Sequence, residues 1–505
     1  MYLVQQKDID ILRQKSKELH CKIEFLNDRL QVIGTLENNL LDGSISIDTT
    51  SDIQRTCSFT FFVRDSSYVV SENSKIWFDK ICRVYIGIKS IRTQEIQWWP
   101  LGLFLFLENG YQFDATTNSL TCKCVDLMAK FTGVRSGSIA EKNITISAGT
   151  SIRSAMISIL TKLGFNKYLI DNIGSEYGDA INPYTRYKYT QVPKDLSFSA
   201  GDKVYTILAK LRDICSGYQM FFDGDIFTCQ RIPTYKYRGI ELDEEQIEKL
   251  ALVISEQRNN SFEKVKNITD IWGKCISSDY YSAECSNTAN QYNVVLSDIT
   301  ALENGKTYGV QINSDNLSNQ TIKINSQNAY PIVKDDGTAI EAGSLKAGTD
   351  YCFKYKDTMF YLLGQSQIHA VAMLVSQQPD TAKDLEYQSK YDCHKITYIV
   401  DNQSPFTVEK IGEILSVKSG GDYDNLYSDS LAIQKAIDEN YKTSYLEDSV
   451  TLTMQLVPWM YGNCKIRYKS HITKTVDTYL VKSIQMPIKD GTMTVQMVRM
   501  NDTAA

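Results

Sequence analysis

The sequence predicts a mainly β chain that holds one α+β region and, in its second half, a small inserted β-sandwich. Apolar and polar residues alternate with a period of two near both ends of the chain, as half-buried strands require. Between residues 150 and 215 the apolar spacing changes to the three-and-four rhythm of helices. From residue 291 to 365 the composition turns to Asn, Ser, Thr and Gly, with short apolar runs at regular intervals.

In the first region, to about residue 135, Ile45 and Ile47 alternate with Ser44 and Ser46. Cys57, Phe59, Phe61 and Val63 alternate with Ser58, Thr60 and Arg64, Phe62 being the exception. Val84 to Ile88 reads as a strand, and so does Leu103 to Leu107, whose unbroken apolar run predicts burial on both faces. Cys122 and Cys124 lie two apart, beside Leu120, so a strand turns all three to one face.

Residues 136 to 240 read as α+β. Ile152, Ala155, Met156, Ile159, Leu160 and Leu163 form a helical stripe behind a Thr150 cap, ended by Gly164. A second stripe, Val204, Ile207, Leu208, Leu211, Ile214 and Cys215, follows Asp202 and ends at Gly217. Ser-Ala-Gly plus a capping residue introduces both, at Ser147 to Thr150 and Ser199 to Asp202, a pattern compatible with duplication or chance. Tyr218 to Phe222 and Asp225 to Cys229 form a hairpin round Asp223-Gly224. Its carboxylates fall far short of the roughly six to eight oxygens that calcium takes, so a plain turn is expected.

Within 291 to 365, Tyr292 to Leu296, Tyr308 to Ile312, Thr321 to Ile324, Tyr351 to Tyr355 and Phe360 to Leu363 read as strands, joined by turns such as Lys334 to Gly337. Pro405 to Ile414 then leads to a polar turn at Gly420 to Asn425. A helix opens at Ser428 or Asp429 and carries Leu431 to Ala436. Leu452, Met454 and Leu456 alternate with Thr451, Thr453 and Gln455, and Met493, Val495 and Met497 with Thr492, Thr494 and Gln496. Between these strands Pro458-Trp459 makes a corner, with Trp459 expected in the core.

At 505 residues the chain has room for roughly three or four domains. A formal charge of −6 argues against a surface built to hold phosphates. The longest apolar run, Trp98 to Leu107, is half of the ~20 residues a membrane helix needs, and the N-terminus lacks a signal-peptide pattern, so a soluble protein is expected. The 12 cysteines are scattered without a repeating interval and are expected to be reduced, structural thiols. Gly305-Lys306-Thr307 fails as a phosphate loop, because Thr300 stands where the first glycine belongs. Cys393 and His394, adjacent on a strand, point to opposite faces. With His20, His369, His394 and His471 as the full histidine set, no zinc spacing exists. Neither cofactor nor metal is expected, and no enzyme.

The order of parts in 404 to 499 resembles the end of phage baseplate hub and tail-tip structural proteins. The segments are Glu409 to Ile414, Leu431 to Ala436, Pro458-Trp459, Tyr479 to Ile484 and Gly491 to Arg499. Trp99 to Phe104, and Leu120 to Phe131 with Asp126 and Met128, are similar to that family's opening barrel, and Val265 to Gly273 to the strand that opens its second barrel, continued at Ile396 to Val400. The stretch from Ala329 to Phe360 resembles a module of phage tail fibres. The resemblance implies two related β-barrel tube domains, at 1–135 and at 241–290 with 366–505. An α+β peripheral domain (136–240) and an inserted β-sandwich (291–365) complete the chain.

It further implies a structural virion protein at the tail tip or baseplate, made in the bacterial host cytoplasm. Three copies would form a ring adapting a sixfold tail tube to a threefold tip, with the tube ring above, tip, spike or fibre proteins below, and a channel for DNA in transit. A net negative chain suits that channel. Tyr308, Tyr330 and Tyr361 are candidate contacts for a host-surface glycan or partner. The alternatives are a tail-associated wall lysin and a receptor-binding protein that uses the inserted module.

Overall fold

The computed structural model describes residues 3–37, 39–140, 143–180, 187–193, 195–215, 217–234, 245–246, 252–273, 276–297, 299–334, 337–393, 395–420, 423, 426 and 429–500. The chain forms two units, Met1–Asn260 with Glu447–Ala505, and Ser261–Leu446. The first opens with α1 (Gln6–Leu12), β1 (Leu19–Leu26), β2 (Val32–Leu36), β3 (Leu40–Asp48), β4 (Arg55–Phe62), β5 (Ile81–Lys89), β6 (Ile96–Asp114) and β7 (Ser119–Asp126). Then come β8 (Asn143–Ile146), α2 (Ile152–Lys162), β9 (Tyr168–Ile170), β10 (Leu196–Ser199), α3 (Val204–Arg212), β11 (Tyr218–Asp223), β12 (Ile226–Arg231), β13 (Glu245–Gln246) and β14 (Val253–Ser261). The second unit runs from β15 (Ile268–Trp272) through β16 (Tyr280–Ser282), β17 (Cys285–Thr288), β18 (Gln291–Val294), β19 (Thr307–Gln311), β20 (Thr321–Ile324), β21 (Ala329–Val333), β22 (Asp350–Lys356) and β23 (Met359–Gln365) to β24 (His369–Val375). It ends with α4 (Thr381–Lys390), β25 (Ile396–Val400), α5 (Val408–Ile411), β26 (Leu415–Lys418) and α6 (Asp429–Thr443). The chain returns to the first unit with β27 (Glu447–Gln455), β28 (Lys465–Lys469), β29 (Val476–Pro487) and β30 (Thr492–Arg499).

Both ends of the chain meet in one sheet, ordered β14-β27-β30-β29-β3-β4-β7-β6-β5-β1-β2, with β28 beside β29. The alternation read from the sequence fixes its inner face. Ile45, Phe59, Cys122, Leu452, Met493 and Val495 all enter one core, so the two ends bury their apolar faces together. Cys122 and Cys124 share that face, where burial pushes both thiols well above the usual range. β6 is buried on both sides as expected: Phe104 and Phe106 enter this core, while Leu103 and Leu105 face a second core formed with α2 and α3.

In the α+β region a strand, a Ser-Ala-Gly turn and a helix occur twice. β8 pairs antiparallel with β10. After each strand Ser-Ala-Gly makes the same turn, with Gly149 at φ +82° and Gly201 at φ +93°. Thr150 N donates to Ser147 O at 3.2 Å, and Asp202 N to Ser199 O at 3.1 Å. The cap of α2 is Ser151, one residue later than expected, its side chain accepting from Ser154 N. In the β11–β12 hairpin Asp223 stands opposite Ile226, so the turn's central pair is Gly224-Asp225. Gly224 supplies the positive φ, +61°, that such a turn needs at its first position.

The second unit departs from the expected barrel. Residues 265 to 273 and 396 to 400 form a separate sheet, ordered β25-β24-β15-β26. β24 and β26 occupy both edges of β15, which leaves it no edge for the large sheet. Ala432 and Ala436 of α6 pack on one face of the small sheet. The insertion begins earlier than its composition indicates. Trp272 stands opposite His369, and β16 to β23 lie between them as an eight-stranded sheet folded round a core of its own. Its two ends are tied by Gly273 N to Ile368 O and Ile276 N to Ser366 O, both 2.8 Å. The His369 ring stacks on Trp272 at 3.8 Å and bonds Asp270 at 2.8 Å. With termini this close, joining Gly273 to Ile368 through a short glycine turn should leave the rest of the chain folded, its melting temperature within a few degrees of the parent. Insoluble product would contradict this.

Asp126 is buried between strand and turn, accepting from Met128 N at 2.9 Å and Arg55 N at 3.1 Å. Burial raises its pKa to about 6, although both N–H groups and the Arg55 charge pull the other way. A carboxyl with a raised folded pKa stabilises most when protonated. Its contribution is full below the ordinary value of about 4 and is lost as pH rises through about 6. Asp126→Asn should therefore flatten melting temperature against pH between 4 and 7, and parallel wild-type and variant profiles would refute the assignment.

Candidate assembly surfaces

The large sheet contains one five-strand pattern twice, β3-β4-β7-β6-β5 and β14-β27-β30-β29-β28. Cys57, Phe59 and Phe61 of β4 stand opposite Cys124, Cys122 and Leu120 of β7. Val450, Leu452 and Met454 of β27 stand opposite Met497, Val495 and Met493 of β30. The loops before β6 and β29 also agree. Ser90 N donates to Glu95 O and Gln94 N to Ser90 O, both at 2.8 Å; Ser470 N donates to Thr475 O and Lys474 N to Ser470 O, both at 3.0 Å. Gln94 and Lys474 share a positive φ, 60° and 63°. Behind this lies a shared Lys-Ser-x-x-Thr-x, at 89–94 and 469–474, in which Thr93 N and Thr473 N reach the serine Oγ at 3.2 and 3.0 Å. β3 and β14 correspond as well, since Phe62 N donates to Asn39 O and Gln455 N to Leu252 O, each at 2.9 Å.

One copy of the pattern is joined to the other by a seam. Ser483–Pro487 of β29 pairs with Ser44–Asp48 of β3, on the edge that β28 occupies further back along β29. The counterpart of Ser483–Pro487 is Gly110–Asp114 of β6, for Gln485 stands opposite Thr494 as Gln112 stands opposite Thr121. The counterpart of β3 is β14. Among the described residues, no strand pairs with the corresponding edge of Gly110–Asp114 or with the outer edge of β14. The side chains follow suit: Met486, inside the seam, is 1% exposed, and its counterpart Phe113 is 50% exposed. Leu252 and Ile254 at β14 are exposed too.

The open edge of β14 is held firmly from behind. Arg258 forks onto the Asp448 carboxylate, with Nε to Oδ1 at 2.7 Å, and this hydrogen bond raises the guanidinium pKa. Glu256 accepts from Tyr468 OH at 2.7 Å, Ser470 Oγ at 2.6 Å and His471 N at 2.6 Å. Burial pushes its pKa up, but these donors outweigh it and hold the carboxyl below the usual range.

The structure does not bring the three candidate tyrosines together. Tyr308 is 0% exposed, stacked on Tyr280 and edge-on to Phe360, and stands where no sugar reaches it. Tyr308, Val310 and Ile312 alternate inward together, which makes Tyr308 part of the sandwich core and removes it as a surface contact. Tyr330 and Tyr361 are half-buried. Ile332 pairs with Phe360 and Val333 with Tyr361, so Tyr330 and Tyr361 lie on opposite faces. Lys306 of the Gly-Lys-Thr sequence pairs with Asp279 at 3.2 Å, as part of a turn. Cys393 is half-buried with its thiol pushed up to about 11 by burial, and His394 lies outside the described residues. So do Ser428 and most of the polar turn at 420–425. Among the described residues no helix is long and apolar enough to cross a membrane.

Residues 403–503 match a family model described as a domain of unknown function (DUF5048). No curated protein sequence matches the chain. Similar solved structures include a prophage tail protein from Shewanella oneidensis, at 9% identity and TM-score 0.45, covering 95% of this chain and 98% of that one. A prophage tail protein from Listeria monocytogenes is similar at 8% identity and TM-score 0.42, with 96% and 95% covered. A tail protein from Neisseria meningitidis is similar at 8% identity and TM-score 0.44, with 95% and 97% covered.

Proposed function

We propose that the chain is a structural hub protein at the tip of a phage-type tail. Three copies close a ring head to tail, β14 of each pairing with Gly110–Asp114 of the next. Six copies of the five-strand pattern then face a sixfold tube above, while the tip below meets threefold symmetry and a channel stays open for DNA. The reading is of a structural part without catalysis.

The observation that carries it is the seam inside the chain together with its two unpaired halves. Open strand edges pair readily with another chain. A heterologous contact repeated round an axis closes a ring, and two patterns per chain make six from three. The segment order at 404 to 499 supports the same reading from the sequence side. Light scattering on the purified protein, alone and with its tube protein, tests it. Three times the chain mass is expected; a monomer under both conditions would contradict it.

A further inference from the structure

We infer that Gln219, Gln230 and Lys482 hold a small inorganic oxyanion, of the phosphate or sulfate kind, where the β11–β12 hairpin meets the large sheet. The site belongs to a single chain and does not depend on the ring.

The hairpin has two unlike faces. Tyr218, Met220, Phe222, Phe227 and Cys229 enter the core shared with α2 and α3. Alternation turns Gln219, Phe221, Thr228 and Gln230 the other way, Gln219 opposite Gln230 and Phe221 opposite Thr228. Although polar, Gln219 and Gln230 are only 3% and 9% exposed. The turn before β28 and the strand β29 meet this face. Asn463, itself buried, donates from Nδ2 to Gln219 Oε1 at 2.7 Å, and Lys482 donates from Nζ to Asn463 Oδ1 at 3.3 Å. That row of bonds has one possible direction. An ammonium group can only donate, so Lys482 draws the Asn463 oxygen towards itself and turns the Asn463 nitrogen to the Gln219 oxygen. The Gln219 Nε2 is left as the outer end of the row.

Donors are in surplus here. Among the described residues, neither Gln219 Nε2 nor Gln230 Nε2 has a partner, and the cross-strand pairing sets the two residues roughly 5 Å apart at Cβ. The buried hydroxyl of Thr49, whose N–H donates to Lys482 O at 3.0 Å, is also without one. Arg55 adds a second cation one step along the face, 5.9 Å from the centre of the Phe221 ring, with the Asp126 charge acting on it. Burial lowers the pKa of Lys482, as it does for an ammonium group without a counter-charge. Unmet buried donors and an unbalanced buried charge both cost stability. A water molecule accepts from both amides but sets no charge against Lys482. An oxyanion supplies several acceptor atoms and the charge together. Bound there, it would tie the hairpin to the large sheet, because Gln219 and Gln230 come from one and Asn463 and Lys482 from the other.

Equilibrium dialysis of the purified full chain against labelled inorganic phosphate, with sodium chloride holding ionic strength constant, tests this. One saturable site per chain is expected, with unlabelled sulfate competing and chloride not. Where the anion survives purification, the denatured chain should release one phosphate or sulfate, read by ion chromatography. Lys482→Met and Gln219→Leu should each weaken phosphate binding by about tenfold or more. Gln230→Leu breaks no hydrogen bond within the described chain, so it keeps the test decisive should the other two fail to fold, and it should weaken binding as well. Lys123→Met, which removes an exposed charge of β7, should bind as the wild type does. A wild-type chain that neither takes up nor releases an oxyanion would overturn the inference, as would wild-type affinity in Gln230→Leu and Lys482→Met.

Discussion

Phe113→Asp should leave the chain folded and abolish the ring. Phe113 is half exposed at the end of β6, so the substitution costs the isolated chain little. In the ring it would occupy the place that Met486 takes in the internal seam, where 1% of the side chain remains exposed. A carboxylate there would be desolvated without a cation, a cost of several kcal/mol at each of the interfaces. Melting temperature should stay within a few degrees of wild type, while the three-copy species disappears from light scattering. Persistence of that species at wild-type concentrations would remove Phe113 from the contact.

Trp99→Ala is expected to be the most damaging single change in the first unit. Its side chain is fully buried, its Nε1 donates to Asp8 Oδ1 at 3.1 Å, and its ring lies 5.9 Å from that of Trp459, from the other end of the chain. The cavity should cost about 3–5 kcal/mol, and loss of the indole hydrogen bond, which leaves buried Asp8 with Gln5 N at 2.8 Å, about 1 kcal/mol more. Because both copies of the pattern share one core, urea denaturation should show them unfolding together at a lower midpoint. Trp99→Phe keeps most of the volume and should recover part of the loss. A midpoint unchanged by the alanine variant would show that this core does not bind the two ends together.

What alternation encodes was legible in the sequence. The strands at Ile45, Phe59, Leu452 and Met493, the two helices after Ser-Ala-Gly, and the doubly buried β6 all follow from periodicity. Periodicity tells which face is buried, not which strand lies alongside, and the resemblance that places Val265 to Gly273 in a second barrel does not hold for β15, whose neighbours are β24 and β26. Duplication was hidden for a related reason. Cys57 matches Val450, and Phe59 matches Leu452, because the inner face demands only apolar bulk. The shared Lys-Ser-x-x-Thr-x was visible and is a local signal that reveals it, since in both loops the serine Oγ accepts from the threonine N. Tyr308 was open to the same reasoning, being in step with Val310 and Ile312. The unpaired edges were beyond reach, because a strand's vacancy is a property of topology rather than of its own residues.

The central claim is that the open edge at Gly110–Asp114 takes β14 of a second copy. A photoreactive phenylalanine at position 113, irradiated in assembled particles and mapped by peptide mass spectrometry, tests it most directly. The account predicts links to Val253–Ser261 of another copy, in species of two and three chains. Links confined to one chain, or to a different protein, would contradict it.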